Sequence, residues 1–341
     1  MLYSDVSLWV SLVMIVGGLA ALAWSSDLFV DGAAGVAKAL GITPFVVGMV
    51  VVGFGTSAPE LCVSVLSGVS GHSEVSLGNA YGSCIFNIAV ILGVSAFICP
   101  LVTRPSVTFV AGPCLGLLSL LSLFVLRDGR CTRMDAAILL AAFAVLMPLY
   151  CWYDQKVKAL ANIPPAGVAG DAAEAPQRGG RTLAVLLMKL VVGLSVLIAS
   201  SHFLVWGAVD LARAIGVSDL VIGLTIVAAG TSLPELASAV ASARRGEHEL
   251  VLGNILGSNF FNMLAVVGLA CAITPVDGFS PYVLRRDLPL NALLSLSLLL
   301  FGVNWRRPKD AGVVRRRAAV VWLLSFAVYT VLLFIQEKGS I

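Results

Sequence analysis

Two carboxylates lie where carboxylates are costly. Glu60 and Glu235 are each embedded in a long apolar run, and they stand 175 positions apart. Each follows a proline, in Gly55-Thr56-Ser57-Ala58-Pro59-Glu60 and Gly230-Thr231-Ser232-Leu233-Pro234-Glu235. An ionisable group at membrane depth points to function by default. Proline in a helix has no N–H to give and collides with the carbonyl four residues back. That frees the carbonyls near Gly55 and Gly230. Irregular backbone at this depth survives only within protein or beside a cavity. Freed carbonyls, the hydroxyls of Thr56, Ser57, Thr231 and Ser232, and the two carboxylates make an all-oxygen donor set. Calcium takes roughly six to eight oxygens, and sodium suits such a set too. Zinc or copper would call for His or Cys.

A second motif adds neutral oxygens. Gly78-Asn79-Ala80-Tyr81-Gly82-Ser83-Cys84-Ile85-Phe86-Asn87 is matched by Gly253-Asn254-Ile255-Leu256-Gly257-Ser258-Asn259-Phe260-Phe261-Asn262. Ser83 and Asn87 share one helix face, as do Ser258 and Asn262. The glycines allow close helix approach. Packing alone accounts for many single Gly, Ser, Thr and Pro residues in membrane helices. It does not account for a Pro-Glu pair repeated at one spacing.

The elements that must position these residues are apolar helices. The chain has 341 residues, 59% hydrophobic and 12% charged, with mean hydropathy +0.97. Soluble domains carry roughly a quarter charged residues. A crossing helix needs about 20 apolar residues. Ten spans are expected, near 7–24, 43–68, 77–98, 107–126, 135–152, 182–206, 218–243, 251–272, 288–304 and 318–335. The runs are continuously apolar, not alternating, which excludes a membrane β-barrel.

The spans form one unit written twice. Gly41–Asn87 and Gly216–Asn262 align without a gap, with 21 of 47 positions identical. Each half holds five spans, an odd number, so the second copy enters the membrane from the opposite side. The expected fold is an all-α integral membrane protein of ten transmembrane helices in two inverted-topology five-helix repeats, with a midplane site where they meet. The halves are residues 1–157 and 182–341, joined by a flexible linker at 158–181 that is rich in Ala, Pro and Gly. The first span matches a mid-chain segment and has no preceding Lys or Arg, so it reads as a retained helix, not a cleaved signal.

With both termini outside, 14 Lys and Arg fall on inner loops and 7 on outer ones. Positive residues favour the inner side, which places the linker in the cytoplasm of a cell with this protein in its inner (plasma) membrane. Arg315, Arg316 and Arg317 read as a topology anchor. Asp27 and Asp31 are expected to lie solvated just past the first span. The seven cysteines show no ligand-like spacing. His72 and His248 are placed in short loops, and no ligand role is assigned to them or to His202.

The two motifs, once per half of a ten-span chain, resemble the α-repeats of the cation/calcium exchanger superfamily, and most of all its bacterial and archaeal sodium/calcium exchangers. The resemblance covers essentially the whole chain. It implies antiport, usually sodium entering and calcium leaving, with spans 1 and 6 sliding across a stable core. By resemblance Glu60 and Glu235 are the central cation ligands. Thr56, Ser57, Thr231 and Ser232 supply oxygens beside them, and Gly53 and Ala228 supply backbone carbonyls. Ser83 and Ser258 flank the site as sodium ligands, and Asn87 and Asn262 close it. Many relatives carry Asp at one of the last two positions, and potassium-dependent exchangers carry it where Asn262 stands. Two amides here argue against potassium dependence and leave two carboxylates, which one Ca²⁺ or two Na⁺ would neutralise. The calcium/proton branch typically shows Gly-Asn-x-x-Glu, which neither Gly78 nor Gly253 introduces.

No cofactor is called for, since Ca²⁺ and Na⁺ are cargo, and no nucleic-acid partner is indicated. A membrane protease would need H-E-x-x-H or a catalytic Asp pair within spans, and neither occurs. Calcium/proton or other divalent exchange and, behind it, a cation channel remain the competing functions.

Overall fold

The computed structural model describes residues 2–69, 73–160, 180–214 and 228–338. The expected linker lies mostly outside these residues, as do His72 and the first part of the span expected at 218–243. Of that linker, residues 158–160 continue one helix and 180–181 begin the next.

The first helix, α1 (Leu2–Leu40), runs well past its expected end, with no proline in it to interrupt it. It stops at Gly41, whose φ of +68° is left-handed, and the Ile42 N–H bonds back to the Ala37 carbonyl. That is the closing pattern glycine permits after a helix. Thr43 then caps the next helix, its hydroxyl accepting from the Val46 N–H at 3.2 Å, with Pro44 in the first turn. Helix α2 (Pro44–Thr56) and helix α3 (Ala58–Val69) are bent by 43° at the break between them.

Helix α4 covers residues 73–98, α5 is Val107–Val125, α6 is Arg133–Leu160 and α7 is Gly180–Ala214. Short α8 (Ala228–Thr231) leads into α9 (Leu233–Arg244), followed by α10 (His248–Ile273). Helix α11 covers residues 283–302 and α12 is Arg316–Lys338. His248 thus begins a helix and does not sit in a loop.

The described residues are almost wholly helical. Among the described residues seven helices are long and apolar enough to cross a membrane, and the bent α2–α3 pair makes an eighth. The expected span at 288–304 appears as the 15-residue segment Leu288–Gly302, preceded by a π-helical turn carrying Arg285 and Arg286.

Helices α1 and α7 lie antiparallel, with Gly18 against Leu204 and Gly32 against Leu190. The same seam is met again from the other side, since Gly193 faces Phe29 and Gly207 faces Met14 and Ile15. Shifting 18, 29 and 32 by 175 gives 193, 204 and 207, so the two copies exchange equivalent contacts. Asp27 and Asp31 belong to α1 itself, which corrects their placement beyond the span. Asp31 pairs with Lys189 at 2.6 Å and Arg245 at 3.4 Å, and Asp27 pairs with Arg245 at 3.3 Å.

Two small antiparallel sheets, absent from the helical expectation, tie the halves together. Strand β1 (Leu101–Thr103) pairs with β4 (Gly312–Val314), and β2 (Arg130–Cys131) pairs with β3 (Val276–Asp277). The largest hydrophobic cluster gathers α2, α4, α5, α6, α10, α11 and α12, with Tyr81, Phe45, Phe260 and Trp322 fully buried.

Candidate functional site

The site is built on the two Pro-Glu breaks. Ser57 ends α2 with φ −83° and ψ 3°, and Ser232 ends α8 with φ −93° and ψ 9°. Neither residue continues the helix, because the proline two positions on cannot donate to the carbonyl behind it. In the second copy that carbonyl, on Gly230, accepts from the Ser201 hydroxyl of α7 at 3.0 Å. The glutamate after each proline then sits in the first turn of a new helix, α3 or α9.

Both carboxylates are sealed from solvent, Glu60 at 0% exposure and Glu235 at 1%. Each is held by the other copy. The Ser232 hydroxyl donates to Glu60 Oε1 at 3.0 Å, and the Ser57 hydroxyl donates to Glu235 Oε1 at 3.0 Å. Thr231 ends α8 beside Ser232, as Thr56 ends α2 beside Ser57. Among the described residues the second oxygen, Oε2, of each glutamate has no hydrogen-bond partner. Among the described residues neither glutamate forms an ion pair with Lys, Arg or His.

Two other buried acids show what a structural carboxylate looks like in this protein. Asp154 lies 3.3 Å from Arg104 and accepts from the Thr43 hydroxyl at 2.7 Å. Asp287 lies 2.6 Å from Arg286 and accepts from the Tyr329 hydroxyl at 3.1 Å. Burying a charge is costly unless it is paired. Asp154 and Asp287 meet that condition with protein cations, and Glu60 and Glu235 do not.

Helix α10 crosses α2 at near backbone contact. A Cβ on Gly253 would overlap the Phe45 carbonyl, and one on Gly257 would overlap the Met49 carbonyl. This explains Gly253 and Gly257 in physical terms: only a hydrogen fits at the crossing. The approach brings the Ser258 hydroxyl 3.3 Å from the Gly53 carbonyl, to which it donates. Thr56 Oγ1 lies 3.0 Å from the Val52 carbonyl and 3.2 Å from Asn254 Oδ1. Ser83 is buried on α4 one turn before Asn87. Ala228 begins α8.

Asn87 opens a π-helical turn, Asn87–Leu92, and Asn262 lies in the matching turn Phe261–Val266. Such turns add a residue to the helical ladder and recur at functional sites. Both amides are buried. Asn87 Nδ2 donates to Asn259 Oδ1 at 3.0 Å, whereas neither amide atom of Asn262 has a partner among the described residues.

Three polar residues join the set without having been singled out from the sequence. Asn79 Nδ2 donates to the Glu60 carbonyl at 3.1 Å, and Asn254 Nδ2 donates to the Glu235 carbonyl at 3.4 Å. Asn259 is the third. The Gly-Asn pair was visible in both copies, and its repetition was the available signal for Asn79 and Asn254. Asn259 faces Cys84 in the alignment and left no such signal.

Comparison with known proteins bears on what this arrangement serves. The family model described as sodium/calcium exchanger protein matches residues 10–152 and 185–335. The chain belongs to the sodium/calcium exchanger family. It is 36% identical to CaxA of Alkalimonas amylolytica over 95% of this chain and 99% of that protein. It is 35% identical to the inner membrane protein YrbG of Escherichia coli (strain K12), over 91% of this chain and 94% of that one. A solved structure of the sodium-calcium exchanger NCX_Mj superposes with a TM-score of 0.79 at 26% identity, covering 96% of this chain and 99% of that chain. The resemblance read from the two motifs holds.

Proposed function

We propose that this protein is a secondary active antiporter that exchanges Ca²⁺ for Na⁺ across the cell membrane at one site shared by its two halves. One observation carries the reading: two buried carboxylates, each held through one oxygen by a serine of the other copy, each keep the second oxygen without a partner among the described residues. Hard cations fit oxygen donors of this kind. Two negative charges match one Ca²⁺ or two Na⁺, so either cargo leaves the site neutral.

In this reading Glu60 and Glu235 bind the cation directly. Thr56, Ser57, Thr231 and Ser232 contribute hydroxyl oxygens, Gly53 and Ala228 backbone carbonyls, and Ser83, Ser258, Asn87 and Asn262 the flanking positions. The exchanged contacts of α1 and α7 support ten transmembrane helices in two inverted five-helix halves, residues 1–157 and 182–341 about a linker at 158–181. The likeness to an inner membrane protein and the excess of Lys and Arg on one set of loops support an inner (plasma) membrane location with the linker cytoplasmic.

Calcium/proton exchange is the competing reading, because the unpartnered oxygen of a carboxyl can also carry a proton. The test is ⁴⁵Ca²⁺ uptake into proteoliposomes loaded in turn with Na⁺, K⁺ and an acidic lumen. Uptake that requires Na⁺ inside is expected. Uptake driven by the acidic lumen and indifferent to Na⁺ would replace sodium by protons as counter-ion. Flux without any counter-ion would make the protein a channel.

A further inference from the structure

The site departs from its own two-fold pattern at one place. Three residues before Asn87 stands Cys84, and three before Asn262 stands Asn259. Asn259 Nδ2 donates to the Cys84 carbonyl at 3.3 Å, and Asn87 Nδ2 donates to Asn259 Oδ1 at 3.0 Å. A backbone carbonyl can only accept. It therefore requires the NH₂ end of Asn259, which turns Oδ1 of that residue toward Asn87. This oxygen in turn requires the NH₂ end of Asn87. The Oδ1 atom of Asn87 is left buried and without a partner among the described residues.

The other copy has no such relay. Cys84 places its thiol 3.8 Å from the Asn259 carbonyl and offers nothing to Asn262. Both amide atoms of Asn262 are buried without a partner among the described residues. One amide is thus committed by a chain of two hydrogen bonds anchored on backbone, and its counterpart is free to turn.

We infer that Asn259 is a positioning residue that commits the Asn87 amide to a bound hard cation as an oxygen ligand, so that cation affinity rests more on the first copy's amide than on the second's. The inference rests on the exchanger reading above. Without Asn259 the Asn87 amide could present its NH₂ group, and donor hydrogens repel a cation. A hydrogen bond of this kind is worth about 1 kcal/mol net, more beside a charge, which corresponds to roughly a five- to tenfold change in affinity.

The experiment is equilibrium ⁴⁵Ca²⁺ binding to the purified full-length protein, with thermal melting in detergent followed alongside. N259C, which gives the second copy the first copy's residue, is expected to weaken binding about tenfold with little change in melting. N259D keeps an acceptor for the Asn87 NH₂ group and is expected to bind no more weakly than wild type. N87A combined with N259C should bind no more weakly than N87A alone, because the second change acts only through the first residue. Wild-type affinity in N259C, a loss in N259D equal to that in N259C, or full additivity with N87A would overturn the inference. Should N259C not fold, N259D against N87A still decides, since a loss in N259D as large as in N87A would overturn it. A wild type that binds no Ca²⁺ would overturn the exchanger reading along with this one.

Discussion

Helix α10 has 89% of its apolar stretch buried within the protein, whereas α1 and α7 each have 22%. Both regions use glycine to bring helices into contact, yet to different ends. In the α10–α2 crossing the glycines lie against backbone carbonyls, and the neighbouring Ser258, Asn254 and Asn259 side chains all bond into the site. In the α1–α7 seam, Gly18, Gly32, Gly193 and Gly207 lock two helices to each other while their outer faces carry exposed Val13, Val16, Leu187 and Val191. An interior helix with a dense hydrogen-bond set holds ligands in place. A helix pair joined mainly to itself, with apolar faces outward, can shift as one body over that interior. The family resemblance implied a stable core and a sliding pair, and the proposal that α1 and α7 are that pair rests on this contrast.

Substitutions can break this contrast in order of size. G257A should be among the most damaging small changes, because the added Cβ meets the Met49 carbonyl in a fully packed crossing. Overpacking of this kind costs roughly 1–3 kcal/mol, to be seen as a lower melting temperature together with weaker Ca²⁺ binding. Unchanged melting would mean that the crossing is looser than described. G193A places a Cβ against the Phe29 backbone in the α1–α7 seam. Its expected effect is on the rate of exchange measured in vesicles, with Ca²⁺ binding left within about twofold of wild type. Binding lost as fully as transport would erase the distinction between core and flanking pair. The smallest effect belongs to D31N. It removes a half-exposed pair with Lys189 and Arg245, and such pairs are worth about 0–1 kcal/mol. A melting temperature within a few degrees of wild type, with transport retained, is expected. Loss of transport with unchanged melting would make that cluster part of the moving machinery.

Much of this was legible in the sequence because the repeat wrote it twice. Glu60 and Glu235 were found as the same residue of two copies, and their prolines foretold the breaks at Ser57 and Ser232. What stayed hidden depends on contacts between distant segments. That Ser232 serves Glu60, and Ser57 serves Glu235, follows from how the halves interlock, and no periodicity records it. The π-helical turns at Asn87 and Phe261 have no residue signature, since the same side chains fit an ordinary helix. Asp154 lies near the end of an apolar run that reads as a helix terminus, so its burial against Arg104 and Thr43 was not visible. The length of α1 was underestimated because Asp27 and Asp31 look like a boundary until Lys189 and Arg245 are seen to pair with them.

The central claim is that Glu60 and Glu235 form one cation site. The most direct measurement is ⁴⁵Ca²⁺ binding to purified wild type, E60Q and E235Q in Na⁺-free buffer, with membrane insertion checked for each. The expected result is saturable binding by the wild type that falls at least a hundredfold in either variant, with both variants inserted normally. Wild-type affinity in either variant would contradict a site shared between the two halves.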